Sequence, residues 1–212
     1  MEIKAFQFSP FAENTYLLYD STKEAVLIDP GCYYPEEKQT LSDFISINSL
    51  KLTKVLYTHC HLDHAFGSNY ISNTYKGIPF LAHQAEQLFI ESALVHAQSF
   101  GLTMEQPPQI TQFISDGEVI KFGETELHVI FVPGHSPGGV SFYNEKTGDL
   151  FPGDILFQGS VGRSDFPGGN HATLISGIKT KLMTLPENVV VYPGHGEYTT
   201  IGNEKALNQF LL

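Results

Sequence analysis

The sequence contains no apolar run approaching the roughly 18 to 20 residues that a membrane-spanning helix needs. Its opening, Met1-Glu2-Ile3-Lys4, leads into a strand-like segment without the layout of a signal peptide, so neither membrane attachment nor secretion is expected. Cysteine is scarce: Cys32 and Cys60 form no disulfide framework, which fits the reducing cytoplasm. Basic residues are also few, 12 Lys and Arg against 23 Asp and Glu for a net charge of -11, and Arg163 is the single arginine. A surface this acidic repels phosphate backbones, and the scattered cations form no overriding patch, so no nucleic-acid partner is expected.

What remains is the composition of a folded enzyme-sized chain. With 212 residues, 42% hydrophobic and 17% charged, it can bury one sizeable core, and a single domain over 1–212 is expected. Short strand patterns at Ile3–Phe8, Asn14–Tyr19 and Glu24–Ile28 predict an antiparallel meander. A helix over Pro35–Asn48, with proline at its start and acids early, then precedes a strand at Val55–Thr58. Further helices are predicted at Ser68–Tyr75 and Ala85–Phe100, with a strand at Ile78–Ala82 between them. A Pro-Pro loop spans Leu102–Gln109. Strands follow at Gln112–Ile114, Glu118–Phe122, Thr125–Val132, Gly139–Tyr143 and Asp149–Gly153, then a glycine-rich loop over Gln158–Asn170, a helix over Ala172–Leu185 and a strand at Val189–Tyr192. Strand, helix, strand implies sheets covered by helices.

The densest chemistry lies in Thr58-His59-Cys60-His61-Leu62-Asp63-His64, at the end of the apolar run Val55-Leu56-Tyr57. Extended residues two apart project from one face about 6 to 7 Å apart, so His59 and His61 can close on one metal ion. Asp63 and His64, past the turn, can face a second. Cys60 points to the opposite face by alternation and is read as core. Three more polar residues follow strands in glycine- or proline-bounded turns: His135 in Pro133-Gly134-His135-Ser136-Pro137-Gly138, Asp154 after Phe151-Pro152-Gly153, and His195 in Tyr192-Pro193-Gly194-His195-Gly196. Together these complete two coordination sets, with Asp154 the natural bridge because a carboxylate has two oxygens. Asp29, in the turn Asp29-Pro30-Gly31, either caps its own backbone or orients a ligand. Arg163 either binds a substrate carboxylate or phosphate or pairs with Asp165 or another acid to stiffen its loop. His83, His96, His128 and His171 lack partners at ligand spacing and are read as structural or exposed.

The ordered set His59-x-His61-x-Asp63-His64, His135, Asp154 and His195, with Asp29 ahead of it, resembles the metallo-β-lactamase superfamily from end to end. That resemblance implies an α/β (α+β) fold, a four-layered αβ/βα sandwich with a dinuclear site along one edge of two facing sheets. It also implies the ligand split: His59, His61 and His135 on one metal, Asp63, His64 and His195 on the other, Asp154 bridging. The metals are expected to be two divalent ions, zinc first, with iron or manganese as alternatives. Within the superfamily the chain is most similar to the glyoxalase II branch, the hydroxyacylglutathione hydrolases, in its short single-domain bacterial form. The residues carrying this closer likeness are Pro133 to Gly138, the loop Gly162-Arg163-Ser164-Asp165-Phe166-Pro167-Gly168-Gly169, and Tyr192 to Gly196 followed by Thr199-Thr200-Ile201-Gly202. Full-length glyoxalase II adds a C-terminal helical domain with cationic contacts to glutathione; here Arg163 falls where that family has a basic substrate contact.

The expected activity is metal-dependent hydrolysis of an acyl bond, most simply a thioester such as S-lactoylglutathione. A water shared by two cations has its pKa lowered towards about 7 and attacks the carbonyl as hydroxide. Asp63 and Asp154 are the catalytic candidates, Asp63 orienting the nucleophile and Asp154 holding both metals. The same Gly-Arg-x-Asp-Phe loop occurs in persulfide dioxygenases, which gives an alternative with a single Fe(II) on His59, His135 and Asp154. A noncatalytic binding protein stabilised by metal ranks below both, because structural zinc sites are closed. The partner expected is a small-molecule thioester, and a homodimer is a further expectation.

Overall fold

The computed structural model describes residues 1–106 and 109–212, so the Pro107-Pro108 pair of the predicted loop lies outside the described residues. The chain divides into two compact units, Met1–Phe113 with Lys121–Thr125, and Ile114–Ile120 with Glu126–Leu212. Each contains the greater part of one six-stranded sheet.

The first sheet has the order β1-β2-β3-β4-β5-β6. Its strands are β1 (Glu2–Phe8), β2 (Glu13–Tyr19), β3 (Glu24–Ile28), β4 (Lys51–Leu56), β5 (Phe80–His83) and β6 (Gln112–Ile114). The predicted meander is present, β1 with β2 and β2 with β3 antiparallel. Helix α1 (Pro35–Ile47) crosses over to β4, which lies parallel to β3, and β5 is parallel to β4. Proline opens α1 where its missing N–H costs nothing, and Glu36 and Glu37 sit in its first turn. The Glu37 carboxylate accepts from the backbone N–H groups of Tyr33, Tyr34 and Ser9 at 2.7, 3.0 and 2.8 Å. Leu41 and Ile45 bury one stripe of α1 among Leu27, Val55 and Phe80. Helices α2 (Ser68–Thr74) and α3 (Gln87–Ser99) follow, and a 3-10 turn at Gln84–Glu86 leads into α3.

The second sheet has the order β14-β13-β10-β9-β8-β7. It comprises β7 (Val119–Phe122), β8 (Thr125–Phe131), β9 (Val140–Asn144), β10 (Asp149–Gly153), β13 (Val190–Pro193) and β14 (Thr199–Thr200). Pairing is antiparallel except between β10 and β13, which run parallel. Helices α4 (His171–Gly177) and α5 (Ile201–Leu207) belong to this unit, whose core gathers Val132, Leu150, Leu174, Ile178, Val191 and Ile201.

Four stretches differ from the sequence-based expectation, the first being the strand expected over Val55–Thr58, which is β4, begins at Lys51 and ends at Leu56. The helix expected over Ala172–Leu185 stops as α-helix at Gly177 and widens into a π-turn over Ile178–Leu182, where Met183 N–H reaches the Ile178 carbonyl at 2.9 Å. A Cβ on Gly177 would lie 2.8 Å from Val132 Cγ1, so this close approach needs glycine. A small hairpin, β11 (Leu156–Phe157) with β12 (Ser160–Val161), interrupts the predicted glycine-rich loop. Finally, α5 and β14 escaped prediction because they are short and lack a long apolar period. Among the described residues no helix is long and apolar enough to cross a membrane.

Candidate metal-binding groups

In the first unit, parallel pairing places the C-terminal ends of β3 and β4 side by side, with Ile28 opposite Leu56 and the Asp29 N–H on the Leu56 carbonyl at 3.0 Å. Asp29, buried and held at φ 50°, therefore meets the segment that carries the histidines. Its carboxylate accepts from the Thr58 N–H at 2.8 Å, the Thr58 hydroxyl at 2.5 Å and His64 Nδ1 at 3.0 Å. The Asp29 carboxylate thus faces an imidazole and the Thr58 backbone together. With Nδ1 on Asp29, Nε2 of His64 is the ring nitrogen left facing Asp63.

The other imidazoles gather around it. His59 and His64 have ring centroids 4.1 Å apart, and His59 and His61 4.6 Å. His59 Nδ1 is 3.0 Å from the Thr58 hydroxyl, and Asp63 Oδ2 is 3.8 Å from His64 Nε2. Asp29, His59 and His64 can each bring one ligand atom within 4.8 Å of the others. The turn beneath is packed to the limit. Thr15 Oγ1 donates to the Asp29 carbonyl at 2.7 Å and accepts from the Gly31 N–H at 3.0 Å. A Cβ on Gly31 would strike the Glu13 carboxyl and come within 2.6 Å of the Asp63 carbonyl.

Two buried carboxyls in this unit were not singled out from the sequence. Glu13, at the start of β2, is fully buried; its Oε2 lies 2.8 Å from Thr15 Oγ1 and its Oε1 3.8 Å from His64 Nδ1. Burial holds its carboxyl well above the usual range, the nearby His64 opposing. Glu86, also fully buried, accepts the Cys60 N–H at 2.7 Å. Neither is marked by its neighbours in sequence: Glu13 precedes the polar pair Asn14-Thr15 at a strand start, and Glu86 lies in a short turn before α3.

In the second unit the three predicted residues also converge. Register pairs Gly153 with Pro193 across the parallel strands β10 and β13, and the Gly194 N–H reaches the Gly153 carbonyl at 2.9 Å, so Asp154 and His195 leave adjacent strand ends. Asp154 Oδ2 lies 3.7 Å from His135 Nε2 and 3.6 Å from His195 Nε2. These separations are too long for hydrogen bonds. They suit donors that each reach an ion at about 2.0 to 2.2 Å. His135 is fixed from behind: its Nδ1 donates to the Arg163 carbonyl at 2.7 Å, which turns Nε2 towards Asp154. A Cβ on Gly162 would strike the Asp154 carbonyl and come within 3.0 Å of His135 Nδ1. At φ 131°, Gly134 shapes the turn before His135, and the Asn170 N–H closes on its carbonyl at 2.8 Å.

The Arg163 guanidinium is turned to its own loop. It donates from Nε and Nη2 to the two oxygens of Asp165 at 2.7 and 2.6 Å and lies over the Phe166 ring, 4.2 Å from its centroid. Arg163 holds the Asp165 carboxyl down at about 2. The remaining histidines have other surroundings: His83 Nδ1 accepts from the Ala85 N–H at 3.2 Å, His128 faces Glu145 at 4.0 Å, and His171 stands exposed behind Asn170, which caps α4. Both cysteines are buried and free, and burial pushes the Cys32 thiol up to about 12 and Cys60 well above its ordinary value. Cys60 packs in the core of the first unit, as alternation predicts.

Histidines tethered through Nδ1, carboxylates at strand ends and two helix-bearing sheets define a metal-binding α/β protein. The chain belongs to the metallo-beta-lactamase superfamily, which matches residues 9–195, and with it to a class of metal-dependent hydrolases. It is 36% identical over 217 residues to hydroxyacylglutathione hydrolase GloC of Haemophilus influenzae, covering 100% of this chain and 98% of that protein. In fold it is similar to the BLEG-1 B3 metallo-beta-lactamase, with TM-score 0.88 and 34% identity over 99% of each chain. TTHA1623, solved in a di-iron-bound form, is likewise similar, with TM-score 0.87 and 35% identity over 98% of this chain and 100% of that one. The mixed α/β fold expected from the sequence is the fold of these neighbours.

Proposed function

We propose that the two groups act as one dinuclear centre, with His59, His61 and His135 on one cation, Asp63, His64 and His195 on the other, and Asp154 shared. We further propose that this centre hydrolyses a thioester of the S-lactoylglutathione kind. The observation that carries the reading is the pair of Nδ1 tethers, Asp29 on His64 and the Arg163 carbonyl on His135, which direct Nε2 to the ligand side in each group. The likeness to GloC supports the substrate class. Two divalent cations, zinc in the first instance, would supply Lewis acidity towards the acyl oxygen and acidify water to a pKa of about 7.

The chain's own residues do the rest. Asp63 is the carboxylate that takes a hydrogen bond from the attacking water and sets its direction. Asp29 and the Arg163 carbonyl keep two imidazoles in the ligating tautomer. Arg163 can receive a substrate carboxylate by exchanging it for Asp165, an exposed partner that gives way at small cost. The free, protonated thiols of Cys32 and Cys60 support a cytoplasmic enzyme.

The test is elemental analysis of purified, reconstituted protein beside three assays: S-lactoylglutathione hydrolysis, β-lactam hydrolysis and oxygen uptake with glutathione persulfide. Two divalent ions per chain and turnover of the thioester alone are expected. Less than one ion per chain after reconstitution would remove the centre, and activity only on either other substrate would replace the thioester.

A further inference from the structure

The loop that carries His59 and His61 is gripped from behind by the first turns of the segment that follows β5, and nothing in the proposed reaction uses that grip. Glu86 ends the 3-10 turn and opens α3. Its side chain is fully buried, and Oε2 accepts the N–H of Cys60, the residue between His59 and His61, at 2.7 Å across 26 positions of sequence. Three residues further along α3, the Phe89 ring meets the His61 imidazole edge-on, with centroids 4.5 Å apart and planes at 88°. One face of α3 thus touches the backbone midway between the two imidazoles and the ring of one of them. Leu62 and Phe66 pack on the same helix through Ala93 and Ala97, so the whole segment after His61 rests on α3.

We infer that Glu86 is a positioning residue: its carboxylate fixes the Cys60 peptide so that His59 and His61 present their nitrogens to a single cation. A buried N–H needs an acceptor, and both Cys60 and Glu86 are buried. Without it the Cys60 peptide rotates to find another partner and takes the imidazoles on either side out of register with each other. His64 is tied separately to Asp29 and does not depend on this bond. The effect is therefore confined to one of the two cations. The inference rests on the proposed ligand set but not on the identity of the substrate.

The experiment compares full-length wild type, Glu86→Ala and Glu86→Gln, stripped of metal and titrated with Zn(II) against a chromophoric chelator, then loaded with Co(II) for absorption spectra. Glu86→Ala should bind one of its two zinc ions about 10- to 100-fold more weakly and the other normally, as loss of a partner behind a ligand does. One cobalt band should shift and the other stay. Glu86→Gln keeps an acceptor oxygen and should stay within about threefold of wild type. Should the alanine variant not fold, Glu86→Asp, which draws the acceptor back by one methylene, is expected to show the same selective loss. Unchanged zinc binding in Glu86→Ala, equal weakening of both ions, or a glutamine variant as weak as alanine would each overturn the inference. Wild type that holds two zinc ions yet leaves S-lactoylglutathione intact would remove the proposed substrate while this positioning role stands.

Discussion

The two units hold their candidate metal-binding groups at the same topological place with a different balance of side-chain and backbone bonds. In each, a parallel strand pair ends in register and delivers polar residues side by side: β3 with β4 for Asp29 and the histidine segment, β10 with β13 for Asp154 and His195. In the first unit the loop is held by side chains, namely Asp29 on Thr58 and His64, Thr15 on the Asp29 turn and Glu86 on Cys60. In the second it is held mainly by backbone, through the Arg163 carbonyl on His135, the Gly194 N–H on Gly153 and glycines where a Cβ would collide. The first group should therefore be the more sensitive to removal of side chains, whereas both contain glycines, Gly31 and Gly162, at which an added Cβ would collide.

The largest effect tests whether the groups work together at all. Asp154→Ala removes the carboxylate common to both sets and should lower kcat by about a thousandfold or more, with most bound metal lost by elemental analysis. Normal turnover would separate the two groups. Next, Asp29→Ala frees His64 and strands the Thr58 N–H, and should weaken one metal by about 10- to 100-fold in a chelator competition. An addition tests the second unit: Gly162→Ala pushes a methyl into the Asp154 carbonyl and should cost about 1 to 3 kcal/mol, read as a Tm lower by about 2 to 4 °C per kcal/mol. Wild-type Tm and activity in that variant would break the comparison.

The smallest effect concerns Arg163. Arg163→Ala should raise KM several-fold, by about two to ten times, with kcat nearly unchanged. By NMR titration the Asp165 carboxyl, at about 2 beside Arg163, should return towards 3.8. Because its folded value is depressed, the ion pair is fully formed above the ordinary 3.8 and lost as pH falls through about 2, so it adds no pH dependence to the wild-type Tm near neutrality.

Much of this was legible from local pattern. The spacing of His59, His61, Asp63 and His64 after an apolar run is a local signal, and so is a glycine or proline beside His135, Asp154 and His195. Strand positions followed from alternation, and the β3-α1-β4 crossover from proline and acids at a helix start. What stayed hidden depends on distant partners. Nothing near Glu86 in sequence marks it as the acceptor for Cys60, and nothing near Gly177 marks the close approach of Val132 to it. The hairpin of β11 and β12 is likewise braced from afar, by Glu204 on the Gly159 N–H at 3.0 Å and by Asn208 on the Ser160 carbonyl at 3.0 Å.

Tethering His64 and His135 through Nδ1 also bears on how the protein takes up metal. An imidazole pinned by a hydrogen bond has already given up its rotational freedom when the chain folded, and ordering a free side chain at the moment of binding costs about 0.5 to 1.5 kcal/mol. The folded apoprotein thus carries that entropy loss in advance. On the proposed ligand set, an arriving cation would meet rings already facing it, and a departing one would leave the shape of the cradle behind, ready to be filled again.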